Sequence, residues 1–374
     1  MTRPVICGFS RSPFTLANKG ELARVRPDDL LASVIKSLIA KYSIRIEDIE
    51  DLLVGCAFPE AEQGFNIARM TVFLAGLNQS TGGVTLNRFC GSSMEAIHIA
   101  AGKIAMGAGE LFICGGVESM SRIPMGGFNP APNPGLYASF PAAFDSMGKT
   151  AEALAVKYNI SRKEQEEFAL ASQAKAAAAD FSDEITTITS KVGKVEKDGC
   201  IRADSSLDKM ATLTPAFALN GSVTAATASP LTDGAAAVIV CSEAYADKHG
   251  LPKLAVIKSI SVAGVPPQIM GIGPVAATEK ALARAGLSLS DIDIFELNEA
   301  FAAQSLACLR ELQIPSEKLN LEGGAIALGH PLGASGARIT GKAASLLAKH
   351  NAKYALATMC IGGGQGIATI LEKP

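Results

Sequence analysis

Apolar residues along the chain fall into two rhythms. Short β-branched runs of strand length alternate with longer segments whose apolar positions recur at helical spacing, the pattern of an α/β protein built in layers. The strand-like runs are Val5 to Phe9, Asp51 to Gly55, Val84 to Leu86, Leu111 to Cys114, Ala236 to Cys241, Lys253 to Ile260, Ile292 to Leu297, Tyr354 to Thr358 and Gly366 to Leu371. Helix-like runs include Asp28 to Lys41, Ser92 to Met106, Ser161 to Ala179, Val275 to Ala285 and Gly336 to His350. Ser161-Arg162-Lys163-Glu164 has the form of a capping box, which gives that helix a physical cause for starting where it does.

The two ends of the chain echo one another. Ile44-Arg45-Ile46-Glu47-Asp48-Ile49-Glu50 matches Leu287-Ser288-Leu289-Ser290-Asp291-Ile292-Asp293, each between a helix and a strand, with Asp48 and Asp291 243 positions apart. Gly91-Ser92-Ser93 answers to Gly333-Ala334-Ser335, and Leu111 to Cys114 answers to Tyr354 to Ala357, at nearly the same offset. A fixed offset over separate places argues for two copies of one α/β unit. Between the copies, Arg122 to Gly135 is rich in Gly, Pro and Asn, and Lys191 to Asp208 is polar, so both read as excursions over the surface.

With 374 residues the chain exceeds the size at which single cores stop growing, so more than one domain is expected. A net charge of −2 offers no electrostatic argument for nucleic acid or for a membrane surface. No apolar stretch approaches membrane-spanning length and the N-terminus carries no apolar run of signal-peptide type, so the cytoplasm is expected, or the mature form of an organelle protein. The eight cysteines contain no Cys-x-x-Cys pair and only four histidines accompany them, which speaks against a zinc site and leaves buried core thiols as the ordinary reading.

Four segments carry candidate chemistry. Cys90, in Asn87-Arg88-Phe89-Cys90-Gly91-Ser92, sits at a strand-to-helix corner, where free backbone N–H groups and the helix dipole favour a thiolate. Asn298, in Leu297-Asn298-Glu299-Ala300-Phe301, stands at a strand end, where an asparagine is commonly a helix cap. His330 precedes Pro331, which holds it out of helical geometry, and six glycines from Gly323 to Gly341 let the backbone around it approach a ligand. Cys360 follows a strand and opens the glycine-rich Ile361-Gly362-Gly363-Gly364-Gln365-Gly366. Read singly, each has an unremarkable structural alternative: a core thiol, a cap, a turn histidine, a sheet-edge turn.

In that order the four segments resemble the thiolases, and the resemblance runs from Glu62-Gln63-Gly64-Phe65-Asn66 to Leu371, over nearly the whole chain. It implies duplicated α/β halves in alternating helix and sheet layers, with two helices buried at the centre and an inserted loop domain over coenzyme A. The implied boundaries are 1–116 for the first half, completed by 222–245, then 117–221 for the loop domain and 246–374 for the second half. The activity implied is thiolytic cleavage of 3-ketoacyl-CoA, with CoA as a substrate and neither metal nor redox cofactor. By resemblance Cys90 is the acyl-accepting nucleophile and His330 the base that takes its proton, while Cys360 is the acid–base at the acetyl α-carbon. Asn298 anchors a water that forms one oxyanion hole with His330, and the N–H groups of Cys90 and Gly362 form the second.

Ser229, Ala225, Met147, Ala300 and Phe301 fall where the family contacts substrate and CoA. Met147-Gly148-Lys149-Thr150-Ala151-Glu152 keeps the family's Met-Gly-x-Thr-Ala-Glu, whereas Ala226, Thr227 and Pro230 replace its usual Gly, Asn and Gly. Ser146 stands in place of a histidine typical of short-chain biosynthetic members, which favours the degradative branch. The similar members are homodimers or homotetramers and suggest an enoyl-CoA hydratase/3-hydroxyacyl-CoA dehydrogenase partner subunit. Three other readings stand beside this one: a short-chain acetoacetyl-CoA thiolase, a decarboxylating ketoacyl synthase, against which the Cys360 loop speaks, and a non-catalytic acyl-CoA-binding subunit.

Overall fold

The structure, a computed structural model, describes residues 2–191 and 193–374. Among these, a ten-stranded sheet is assembled from two similar halves. The first contains β1 (Pro4–Arg11), β2 (Asp51–Gly55), β3 (Gly82–Leu86), β4 (Leu111–Ser119) and β5 (Thr232–Ser242). The second contains β6 (Ala255–Gly264), β7 (Ile294–Leu297), β8 (Tyr354–Ile361) and β9 (Gln365–Glu372). The strand order is β3-β2-β4-β5-β1-β6-β9-β8-β7, and a two-residue strand, Thr15–Leu16, lies beside the start of β5. The halves join where Val5 and Ile6 pair with Val256 and Ala255.

Register carries the duplication down to single residues. Asp51 lies opposite Phe112 in the parallel pair β2–β4, and Ile294 lies opposite Ala355 in the parallel pair β7–β8, each partner displaced by the same 243 positions. The antiparallel pairs β4–β5 and β8–β9 also correspond. In the second half that hairpin closes over Gly362, Gly363 and Gly364; in the first, residues 120–231 occupy the same place.

Strand alternation divides the core. Phe112 and Cys114 of β4, Ala236, Val238 and Val240 of β5, and Ala355, Ala357 and Met359 of β8 face one cluster that contains α1 (Ser92–Ala105) and α2 (Leu332–Lys349). Residues between them face outward, against helices Pro27–Lys41 and Ile67–Leu74 in the first half and Gly273–Ala285 and Ala302–Leu312 in the second. The expected alternation of helix and sheet layers around a central helix pair is what is observed. In α2, 15 of 18 residues are buried, as befits a helix enclosed on all sides.

The central helices pack at backbone distance. The Ala337 N–H donates to Ser93 Oγ at 2.8 Å, and a Cβ on Gly336 would lie 2.4 Å from the Met94 nitrogen. A Cβ on Gly116 would lie 2.0 Å from the Gly333 carbonyl oxygen, so β4 meets the start of α2 with no room for a side chain. This also explains why β4 runs to Ser119 when the sequence pattern stops at Cys114. Gly115 and Gly116 weaken the strand signal, yet they are required for packing.

The described residues of Lys191 to Asp208 lie mostly at the surface, as read, but the Asp198 side chain turns inward. Arg11, wholly buried at the end of β1, donates to both oxygens of Asp198 at 2.7 and 2.8 Å and to Glu184 at 2.6 Å. The polar segment supplies an internal counter-ion to a residue far away in the chain, a pairing that no local pattern reveals. The capping box at Ser161 and Glu164 is present as expected, with helix Arg162–Ala178 following it.

Replacing Gly116 by Ala forces β4 and α2 apart. A loss of about 2–3 kcal/mol is expected, as for other over-packed cores, seen as a lower urea midpoint with an unchanged slope. An unaltered midpoint would contradict the tight contact with Gly333.

Candidate active site

Each chemical residue lies at the end of a strand or the start of a helix. Cys90 joins β3 to α1, and its corner is tied by short bonds. Asn87 Nδ2 donates to the Ala57 carbonyl at 2.9 Å, Asn87 Oδ1 accepts from Phe89 N–H at 2.8 Å, and Ser92 Oγ donates to the Phe89 carbonyl at 2.6 Å. Phe89 pays for this turn with a left-handed φ of 43°, uncommon for a bulky residue. Cys360 is the penultimate residue of β8, and the turn after it runs through Gly363 and Gly364 with φ of 81° and 87°. Asn298 directly follows β7, and His330 stands two residues before α2.

The backbone N–H groups of Gly362 and of Cys90 itself favour the charged form of the Cys90 sulfur. Burial nonetheless dominates. It pushes the thiol up to about 11, with Glu118 adding to the rise and the two N–H donors opposing it. The expectation that the helix start would favour a resting thiolate is therefore corrected: the dipole and donors act in that direction, and desolvation outweighs them. Cys360 is likewise held well above the ordinary thiol range, first by burial and then by the nearby Cys90 and Cys308.

Ser335 Oγ lies 2.6 Å from His330 Nδ1 and 3.0 Å from the Pro331 carbonyl. With the hydroxyl hydrogen on that carbonyl, Oγ accepts from Nδ1–H, which is the tautomer that a base acting through Nε2 requires. Asn298 Nδ2 approaches that Nε2 at 3.3 Å. Burial, with the Arg338 charge behind it, lowers the imidazole to about 3, so at neutral pH the ring is an uncharged acceptor. The backbone N–H of His330 is held by Thr232 Oγ1 at 3.1 Å.

A cavity of about 190 Å³ brings these groups together, with Cys90, His330 and Cys360 all in its lining. Ser229, Met147, Ala300 and Phe301 line its walls. Ser229 N–H donates to the Ala300 carbonyl at 3.0 Å, which explains how two distant segments form one wall. Asn298 and Gly362 are buried behind this lining, one against His330 and the other against Cys90. Ala225 is the exception. The turn closed by Thr227 Oγ1 on Thr224 N–H at 2.9 Å leaves it exposed and outside the cavity lining.

Several participants escape sequence reasoning. Ser335 had a weak signal, one turn into the helix after His330-Pro331. Met120 and Met125 also line the cavity with no motif to mark them, and Phe217 and Leu332 join them there. Glu118, buried at the end of β4, accepts from Ala57 N–H at 2.8 Å, Gly333 N–H at 2.9 Å and Gln63 Nε2 at 2.8 Å, joining the start of α2 to the Cys56–Phe58 turn. Glu299 does not face the cavity. Its carboxylate accepts from Ser172 Oγ and Asn320 Nδ2, both at 2.7 Å, and clamps helix Arg162–Ala178 to the second half.

His98 shares the electrostatics of His330: burial lowers it to about 3, and its Nε2 meets Thr369 Oγ1 at 2.8 Å. A folded pKa below the unfolded value gives stability that is full above about pH 6.5 and is lost as pH falls toward 3. Glu296, raised to about 7 by burial, acts in the opposite sense, so a variant isolates the effect. His98→Gln should narrow the loss of unfolding free energy between pH 7 and pH 5 by about 2 kcal/mol. Urea titrations at the two pH values measure it, and an equal loss in both proteins would mean that His98 charges freely in the fold.

Comparison with known proteins agrees with this geometry. Residues 4–244 match the thiolase N-terminal domain and residues 251–373 the thiolase C-terminal domain. The chain is 44% identical over 389 residues to a 3-ketoacyl-CoA thiolase of Bacillus subtilis, with all of both chains covered. It is 47% identical over 387 residues to one of Shewanella loihica, again with full coverage of both. Crystal structures of human mitochondrial 3-ketoacyl-CoA thiolase superpose with TM-scores of 0.91 and, in complex with CoA, 0.92, at 38% identity, covering 100% of this chain and 99% and 98% of theirs. Two matched domains, full-length relatives and a shared fold lead to one conclusion: the chain belongs to the thiolase family.

Proposed function

We propose that this thiolase cleaves 3-ketoacyl-CoA with free CoA, yielding acetyl-CoA and a shortened acyl-CoA, as an acyltransferase of fatty-acid β-oxidation. The observation that carries the reading is a buried thiol, Cys90, set in one cavity with a second thiol, Cys360, and with the uncharged imidazole of His330, whose Nε2 meets Asn298 Nδ2 at 3.3 Å.

His330 Nε2 takes the Cys90 proton and the sulfur attacks the keto carbon, forming a C–S bond. The Cys90 and Gly362 N–H groups receive the charge that develops on the oxygen, the preorganised role that donors of this kind play best. Collapse breaks the carbon–carbon bond and expels the acetyl-CoA carbanion. Cys360, kept as a thiol by burial, gives that carbon its proton. After acetyl-CoA departs, the Cys360 thiolate takes the proton of free CoA, whose sulfur attacks the acyl-cysteine. The Cys90 sulfur leaves and recovers its proton from His330. Asn298 Oδ1 is buried and without a protein partner, which suits the anchoring of a water beside His330. Two CoA events separated by an acyl-enzyme make ping-pong kinetics the expected form.

The walls support the degradative branch. Met120, Met125, Met147, Phe217 and Leu332 offer apolar, adaptable contact for an acyl chain, and Ser146 lines the same space. Its substrate arises by oxidation of a 3-hydroxyacyl-CoA, so an enoyl-CoA hydratase/3-hydroxyacyl-CoA dehydrogenase is the upstream activity, as a subunit or as a separate enzyme. We infer self-association through β3, which forms the outer edge of the sheet with Val84, Met70 and Phe73 exposed nearby. Among the described residues no helix is long and apolar enough to cross a membrane. The cytoplasm is the compartment we propose, supported by eight cysteines that are all free and buried.

The test follows loss of 3-ketoacyl-CoA enolate absorbance on adding CoA, with acetoacetyl-CoA and a long-chain substrate run side by side. Faster cleavage of the long chain is expected, and a preference for acetoacetyl-CoA would move the protein to the short-chain branch. Cys90→Ala should form no acyl-enzyme. Cys360→Ala should still be acylated by acyl-CoA yet lose at least about 10²-fold in cleavage, as expected on removing a general acid, and full cleavage by it would sink the assignment.

A further inference from the structure

The contact between Asn298 Nδ2 and His330 Nε2 bridges two elements, since Asn298 follows β7 while His330 is held by Ser335 of α2. Beneath that contact lies a buried charge pair that the chemistry above does not use. Glu296 of β7 and Arg338 of α2 are 0% and 1% exposed, and Glu296 Oε2 stands 3.6 Å from Arg338 Nη1. Glu296 is two residues before Asn298, hence on the same face of the strand end. Arg338 is three residues after Ser335, hence on the same face of α2. Each partner of the catalytic contact therefore has one member of the charge pair directly behind it.

The pair is not closed on itself. Glu296 Oε1 and Oε2, Arg338 Nε, Nη1 and Nη2, and Asn298 Oδ1 are all buried and make no hydrogen bond to protein. So many free valences at an ion-pair distance beyond direct bonding suit polar groups bridged by water. Charges around the layer are otherwise engaged: Lys342 with Glu184 and Glu322, Arg11 with Glu184 and Asp198, and Glu299 with Ser172 and Asn320.

We propose that Glu296 and Arg338 form a positioning pair, joining β7 to α2 so that Asn298 and His330 keep the separation at which His330 Nε2 serves Cys90. This rests on the reading of His330 as the base for Cys90, and neither residue of the pair touches substrate.

A paired apolar replacement, Glu296→Leu with Arg338→Met, separates positioning from mere stability, because exchanging a buried pair for apolar residues is commonly neutral or stabilising. Thiolysis kinetics and the rate of Cys90 alkylation by iodoacetamide at pH 7 are measured on the folded protein. A fall in kcat of about tenfold or more with KM within about twofold, and alkylation slowed about fivefold, is expected for a misplaced base. Unchanged kcat and alkylation, or a change in KM alone, would overturn the proposal. Should the double variant fail to fold, Glu296→Gln keeps the shape of the side chain and is judged by the same two outcomes. The wild type keeps the two ideas apart: absence of thiolysis there strikes the functional reading, whereas the alkylation comparison still decides the pair.

Discussion

The approach of α1 to α2 at backbone distance is the constraint from which the site follows. Ser93, Gly336 and Ala337 let α2 meet the backbone of α1 at Met94 without large side chains between them. Because Cys90 precedes one helix and His330 the other, the distance between helices sets the distance between nucleophile and base. Neither residue could be placed by its own loop alone. Glu118 adds a second tie at the same level, since its carboxylate holds Gly333 N–H at the start of α2 and Ala57 N–H beside the Cys90 corner. Such small-residue contacts contribute little apolar area each, but they fix geometry that a looser, leucine-rich interface would leave adjustable.

Burial decides the resting charge of this site. At pH 7 a thiol near 11 and an imidazole near 3 both stay neutral, so the free enzyme holds no cysteine–histidine ion pair. Freeing the Cys90 proton to water at that pH costs about 5 kcal/mol. That cost is lowered only where charge can be received, by the N–H donors at the sulfur, by the imidazolium formed beside it, and by a carbonyl carbon ready to bond. A site of this kind keeps its nucleophile protonated until the proton has a base to go to. It also explains why two thiols can share one cavity with different duties: Cys90 must lose its proton on demand, while Cys360 benefits from keeping it.

Much of the architecture was legible along the chain because it is local. Asp51 to Gly55 stands as read, and the capping box at Ser161 marks its helix correctly. The repeat offset read from Asp48 and Asp291 returns in the strand register as well. What was illegible depends on distance in space. His330 Nδ1 is held by the Ser335 hydroxyl at 2.6 Å, a partner that no motif marks. Asp198 reads as solvated polarity until Arg11 is placed against it. The protonation of Cys90 was misjudged for a related reason: a helix start is visible in sequence, whereas desolvation belongs to the finished fold.

Duplication followed by unequal use of one turn accounts for the rest. Both halves contain an antiparallel pair at corresponding positions, β4–β5 and β8–β9. In the second half the pair closes over three glycines, and that economy brings the Gly362 N–H to the Cys90 sulfur. In the first half the same turn has become residues 120–231, which bring Met147, Phe217 and Ser229 over the cavity. A turn of minimal length is needed on one side because a backbone donor must reach the reacting atom, and a long excursion is tolerated on the other because loop closure grows costly only slowly with length. The asymmetry of the site, with chemistry supplied mainly from below and apolar contact from above, thus follows from placing unlike connections on two copies of one framework.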